Sequence, residues 1–166
     1  KTFTTAEHRL NMVTLALKEL GDDRMKIDSR ELVSAYKGES NATYKTLESL
    51  KLEHPQRKFV WILGEDQFLN FEKWQEWQWL IQNMTLAICS RPNQINSKKT
   101  IILEKKHKFL EQLGAELKWI KMIPDSCSST KVRKLVANGS NTIDLVSASV
   151  KRYILENKLY KKFQED

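Results

Sequence analysis

The sequence predicts an α/β fold built on a doubly wound parallel sheet. Three observations carry this. Short apolar runs, "FVWIL", "TLAICS" and "LKWIKMI", are separated by longer stretches in which apolar residues recur every three or four positions, the alternation of strand and helix patterns that such sheets require. The run Phe59–Leu63 is continuously apolar and stops at Gly64, as expected of a strand buried on both faces. At 166 residues, 40% of them hydrophobic and 30% charged, the chain is long enough for one core of ordinary size, so a single domain over residues 1–166 is expected.

The elements follow in order. "TTAEHRLNMVTLALKEL" opens with a capping box from Thr4 to Glu7 and puts Leu10, Val13, Leu17 and Leu20 on one helical face. Gly21-Asp22-Asp23 ends that helix, "MKID" reads as a weak strand and "SAYKGESNA" as a polar loop. "TYKTLESLKLEH" is a helix with Leu47 and Leu50 inward, stopped before Pro55. After the strand at Phe59–Leu63, "FEKWQEWQWLIQN" reads as one helix carrying Phe71, Trp74, Trp77 and Ile81 on its inner face, followed by a buried strand at Thr85–Ser90. Residues 93–103 read as a loop, "EKKHKFLEQLG" as a basic helix closing on Gly114, and Leu117–Ile123 as a strand. "SSTKVRKLVANG" is a short amphipathic helix. "LVSASVKRYILENKLYKKF" is a terminal helix pair whose apolar side is Val150, Tyr153, Ile154, Leu159 and Tyr160. The three strands are expected to lie adjacent and parallel.

Composition narrows the function classes. A net charge of +7 and a pI near 9.4 favour an anionic partner, but the lysines are scattered along amphipathic segments and form no single block. Cys89 and Cys127 are far apart, with no CxxC and no clustered histidine, so neither a disulfide framework nor a zinc site is indicated. No apolar run approaches the length of a membrane span and the start has no secretory core. A reducing, cytoplasmic setting without membrane contact is the expectation.

Two places carry chemistry. Ligands of open α/β sheets bind beyond the carboxyl ends of the strands, which draws attention to Gly64 and Asp66. Asp66 can accept from a ribose hydroxyl or act as a structural carboxylate on the following helix. In "CSSTKVRKLVANG" a Ser128 or Ser129 cap leaves backbone amides pointing outward at the positive end of a helix, a setting for an anion. Arg133 adds a planar fork suited to two phosphate oxygens, and Lys131 a point charge. The bland alternative is a capped surface helix with its cations in water.

Read together, "AEHRLNMVTLAL", "LGEDQFLNFEKWQEW", "CSSTKVRKLVANG" and "VKRYILENKLY" resemble the bacterial nicotinate-nucleotide adenylyltransferases of the nucleotidylyltransferase superfamily, in the same order and from about Ala6 to Tyr160. The resemblance implies a Rossmann-like sheet and transfer of AMP from ATP to nicotinate mononucleotide, with Mg2+ accompanying ATP, to give deamido-NAD and pyrophosphate in NAD biosynthesis. It implies that Ser128, Ser129, Thr130 and Arg133 hold ATP phosphates, that Gly64 and Asp66 contact a nucleotide, and that Trp74 stacks on the nicotinate ring. Thr43 matches a threonine near the nicotinate carboxylate, although Asn41 and Ala42 stand where that segment has Ser and Tyr. Trp77 and Trp79 read as packing.

The family's first strand, first helix and H-x-G-H motif have no counterpart; His8, His54 and His107 are isolated. The expectation is therefore a single nucleotidylyltransferase-like domain incomplete at its N-terminus, with no catalytic histidine, inactive on its own, and prone to self-association through an uncovered sheet edge. Two alternatives stand beside it. A non-catalytic nucleotide-binding module would use the same residues without turnover. A basic nucleic-acid binder would need exposed aromatics beside cations, and most aromatics here fall on faces that read as buried.

Overall fold

The computed structural model describes residues 4–39, 41–90, 97–123, 127–139 and 145–161, with the side chain of Ser97 excepted. The elements run α1 (Ala6–Leu20), α2 (Arg30–Tyr36), α3 (Thr43–Glu53), β1 (Val60–Gly64), α4 (Glu65–Leu69), a 3-10 turn (Phe71–Lys73), α5 (Trp77–Asn83), β2 (Thr85–Ser90), α6 (Ser97–Gln112), β3 (Leu117–Lys121), α7 (Ser129–Ala137) and α8 (Ala148–Glu156). They divide into two compact units, one within residues 33–125 and one drawn from 1–32 and 126–166.

The 33–125 unit holds the sheet, whose order is β1-β2-β3, all parallel. This is the α/β architecture expected, with the three strands adjacent. Register pairs Gly64 with Cys89 and Cys89 with Ile120, so the carboxyl ends of the strands line up. β2 is central, and Leu86, Ala87 and Ile88 are buried. Its buried Thr85 donates from Oγ1 to Glu116 at 2.7 Å, which satisfies the hydroxyl. Leu47, Leu63, Phe68, Phe71, Leu80, Leu86, Ile88 and Leu110 form the core, with Trp61, Trp74, Trp77 and Trp79 packed against it. The second unit packs α1 on α8 around Val132, Val136, Val150 and Ile154.

Several expectations are corrected. β1 is not buried on both faces: Leu63 is 6% exposed but Val60 and Ile62 are 53% and 66% exposed, because among the described residues β1 is an edge strand with one neighbour. "MKID" forms no strand, having no partner to receive its backbone hydrogen bonds. Asp28 instead accepts the Arg30 amide at 3.0 Å where α2 begins, and α2 takes Ser34–Tyr36 out of the expected loop. The cap of α1 is Thr5, whose side chain accepts from the His8 amide, rather than Thr4. Its inner face is Met12, Leu15 and Ala16, while Val13 and Leu20 are 50% and 62% exposed.

The expected helix over Phe71–Asn83 is broken. Trp74 is extended and Glu76 is left-handed at φ 54, so a 3-10 turn and α5 replace one continuous helix. The loop expected at 93–103 is helical from Ser97, because Leu103 and Leu110, seven residues apart, both enter the core; residues 93–96 of that loop lie outside the described residues. The terminal helix pair is one helix, α8, followed by a turn with Lys158 and Tyr160 at positive φ. No helix among the described residues is long and apolar enough to cross a membrane.

Candidate functional site

At the end of β1 the chain passes directly from Gly64 into α4, with Gly64 as the helix cap. Asp66 lies in the first turn, where the helix field favours an anion. Its Oδ1 folds back over Gly64, so that a Cβ there would stand 2.8 Å from it. Glycine is thus favoured here by the close approach of a side chain and not by its φ of −80. Asp66 is exposed, and Asn70 bonds its backbone oxygen at 2.9 Å without engaging the carboxylate. Neighbouring Glu65 is tied to Lys99 as an ion pair. Of the two carboxylates in "GED", Asp66 is the one turned over the strand end.

Trp74 is half-buried, its ring 5.1 Å from that of Phe71 and inclined by 44°. The break after Phe71–Lys73 is what gives it an extended backbone and a position off any helix face. Thr43 is the first residue of α3, and Ala42 holds the cap position without a side-chain bond. Capping is therefore not the role of Thr43.

In the other unit, Ser128 is the cap of α7 and its hydroxyl accepts from the Lys131 amide at 3.1 Å. This leaves the amides of Ser129 and Thr130 at the helix start with no acceptor in the helix itself. The Arg133 guanidinium folds back along the first turn and donates to Thr130 Oγ1 at 3.2 Å. A cavity of about 450 Å³ opens beside them, lined by Ser129 and Arg133 and walled by Met12, Val132, Val150 and Ile154. Thr4, Arg9 from α1 and Tyr160 from the turn after α8 also line it. Lys131 does not line it.

Sequence reasoning missed Arg9 and gave Tyr160 only a packing role. Arg9 lies within "AEHRLNMVTLAL", a segment assigned no site residue above; the signal was a cation in the first turns of a helix, where the dipole disfavours one. Burial pushes the Tyr160 phenol up, and the positive charges of Arg133 and Arg9 pull it back. Two of the isolated histidines have side-chain partners: His8 Nδ1 lies 2.9 Å from the Tyr153 hydroxyl, and Trp119 Nε1 donates to His107 Nδ1 at 3.1 Å. Among the described residues no three His, Cys, Asp or Glu side chains converge as a metal cage.

Comparison with known proteins places the chain. The cytidylyltransferase-like family matches residues 1–135. A Yersinia pestis (strain Pestoides F) protein named "Probable nicotinate-nucleotide adenylyltransferase" is 31% identical over 166 residues, covering 94% of this chain and 73% of that protein. A Bordetella avium protein of the same name is 27% identical over 157 residues, covering 95% and 74%. The structure of Plasmodium falciparum nicotinic acid mononucleotide adenylyltransferase complexed with NaAD superposes with a TM-score of 0.65 at 22% identity, covering 96% of this chain and 76% of that one. That likeness supports the Rossmann-like architecture. By matched length and identity, the chain belongs to the nicotinate-nucleotide adenylyltransferases of the cytidylyltransferase-like family.

Proposed function

We propose that the protein serves transfer of AMP from ATP to nicotinate mononucleotide, giving deamido-NAD and pyrophosphate in cytoplasmic NAD biosynthesis. One observation carries the reading: the Ser128-capped start of α7 presents outward amides beside Arg133 on a cavity of about 450 Å³. Family membership supports reading that generic anion site as one for nucleotide phosphates.

The chemistry is in-line attack by the mononucleotide's 5′-phosphate on the α-phosphorus of ATP, with pyrophosphate leaving. Such transfer depends on positioning and charge neutralisation more than on a covalent intermediate. Arg133 and the Ser129 and Thr130 helix end hold ATP phosphates, and Asp66 accepts from a ribose hydroxyl. The open part of the Trp74 ring meets the nicotinate, and Thr43 stands near its carboxylate. Magnesium arrives with ATP as part of the substrate: the donor set fits an ion carried by phosphates, since the described residues converge on no protein cage.

Calorimetric titration of the chain with ATP, nicotinate mononucleotide and deamido-NAD tests the reading. Saturable binding of all three is expected, with Trp74→Ala weakening the two pyridine nucleotides and sparing ATP. Failure of all three to bind at millimolar concentration would overturn it.

A further inference from the structure

The α7 cavity is cationic from two sides. Arg133 reaches it from α7 and Arg9 from α1, and no acidic residue lines it among the described residues. Arg133 already has a hydroxyl partner within its own helix turn. Arg9 is exposed, and its side chain has no ion pair or hydrogen bond among the described residues. Its place near the start of α1 gains nothing from the helix field, which is positive there. An anion placed between two guanidinium groups that face one cavity is attracted by both. The apolar walls lower the local dielectric and so strengthen any such contact.

Tyr160 adds an independent mark of convergence. Its phenol lines the same cavity and feels both arginine charges, although the two come from helices far apart in sequence. Its backbone is held left-handed at φ 63, a conformation that costs a tyrosine free energy and persists only where packing fixes it. Here Tyr160 packs on the cluster of Val132, Val136, Val150 and Ile154.

We infer that Arg9 is a second phosphate-binding residue, gripping with Arg133 the polyphosphate of the nucleotide at the α7 cavity. The inference rests on the proposed nucleotide site and goes beyond it in naming a residue of α1, outside the capped α7 helix. Inorganic pyrophosphate is the probe that isolates the phosphate contact, and adenosine is the phosphate-free control.

The test compares the unaltered chain with Arg9→Gln, Arg9→Lys, Arg133→Gln and Arg152→Gln by calorimetry at low salt, with thermal midpoints recorded for each. Arg152 lies exposed on α8 and does not line the cavity, so it controls for net charge. Expected is a loss of pyrophosphate and ATP affinity of about tenfold for Arg9→Gln and at least as much for Arg133→Gln, with partial recovery in Arg9→Lys. Adenosine binding stays unchanged throughout, and Arg152→Gln behaves as the unaltered chain. If Arg133→Gln weakens pyrophosphate and Arg9→Gln does not, Arg9 is no ligand and the nucleotide site survives. If the unaltered chain binds no pyrophosphate, both readings fall. An equal loss in Arg152→Gln would reduce the Arg9 effect to general charge and overturn the inference.

Discussion

Glu19 on α1 caps Ser149 on α8: its carboxylate accepts the Ser149 amide at 2.9 Å and the Ala148 amide at 3.1 Å. The residue at the cap position, Ser147, makes no capping bond of its own. A side chain remote in sequence thus does the work of a local cap, and α1 and α8 are joined through it. Hydrogen bonds from Ser149, through its side chain and then its amide, hold the Glu19 carboxyl at about 2, below its ordinary 4.5.

Stability should therefore depend on pH through this residue. A carboxyl whose pKa is lower in the folded chain contributes fully above its unfolded value, and the contribution is lost as pH falls from about 4.5 towards about 2. Glu19→Gln should lower the thermal midpoint at neutral pH, and the gap to the unaltered chain should close across that window. A gap that stays constant from pH 7 to pH 2 would remove the carboxylate from the account.

Gly64→Ala should displace Asp66 and leave the fold intact. The added methyl would sit 2.8 Å from Oδ1, which the short side chain relieves by rotating at a cost of about 1 kcal/mol. ATP affinity should fall in Gly64→Ala and in Asp66→Asn alike, while pyrophosphate, which has no ribose, binds both as it binds the unaltered chain. Undiminished ATP binding by both variants would take Asp66 out of the site.

Arg133 and Lys131 should behave differently although both follow the same cap. Removing the Arg133 fork is expected to cost about 1.5–3 kcal/mol of ATP binding, roughly tenfold to a hundredfold or more. Lys131→Ala should cost less, since its exposed charge lies off the cavity and is screened by salt. Equal and negligible effects, with stability changed by no more than about 0.5 kcal/mol, would make α7 an ordinary capped helix.

The 166-residue chain assayed alone should bind ATP without transferring its AMP. The sequence contains no H-x-G-H motif, and His8 and His107 are engaged by Tyr153 and Trp119. Without such groups the charge that develops on the transferred phosphoryl lacks its usual stabilisation. Pyrophosphate release from ATP and nicotinate mononucleotide by the purified chain would show that other residues supply it.

What the sequence disclosed depended on distance along the chain. The strands at Thr85–Ser90 and Leu117–Lys121 and the Ser128 cap were legible because a short window holds the whole pattern. The break at Trp74 and Glu76 was not, since "FEKWQEWQWLIQN" satisfies helical spacing throughout and only the packing of Phe71 and Ile81 decides against it. The inner face of α1 was misjudged for a related reason. Met12, Leu15 and Ala16 face inward because α8 lies there, and nothing near α1 in sequence announces α8. Of the site, Ser128, Ser129 and Arg133 were found within one capped-helix stretch, whereas Arg9, which reaches the cavity only through tertiary structure, was not.

The 33–125 unit contains every tryptophan of the chain, Trp61, Trp74, Trp77, Trp79 and Trp119, and the unit drawn from 1–32 and 126–166 contains none. Intrinsic tryptophan emission is therefore a spectroscopic reporter of the sheet alone, while far-ultraviolet circular dichroism also sees α1, α7 and α8. A denaturant titration followed by both signals reads the cooperativity of the chain without any label. Coincident midpoints are expected if residues 1–166 unfold as one domain. An ellipticity loss that precedes the emission change would identify the α1–α7–α8 unit as a separately melting foldon.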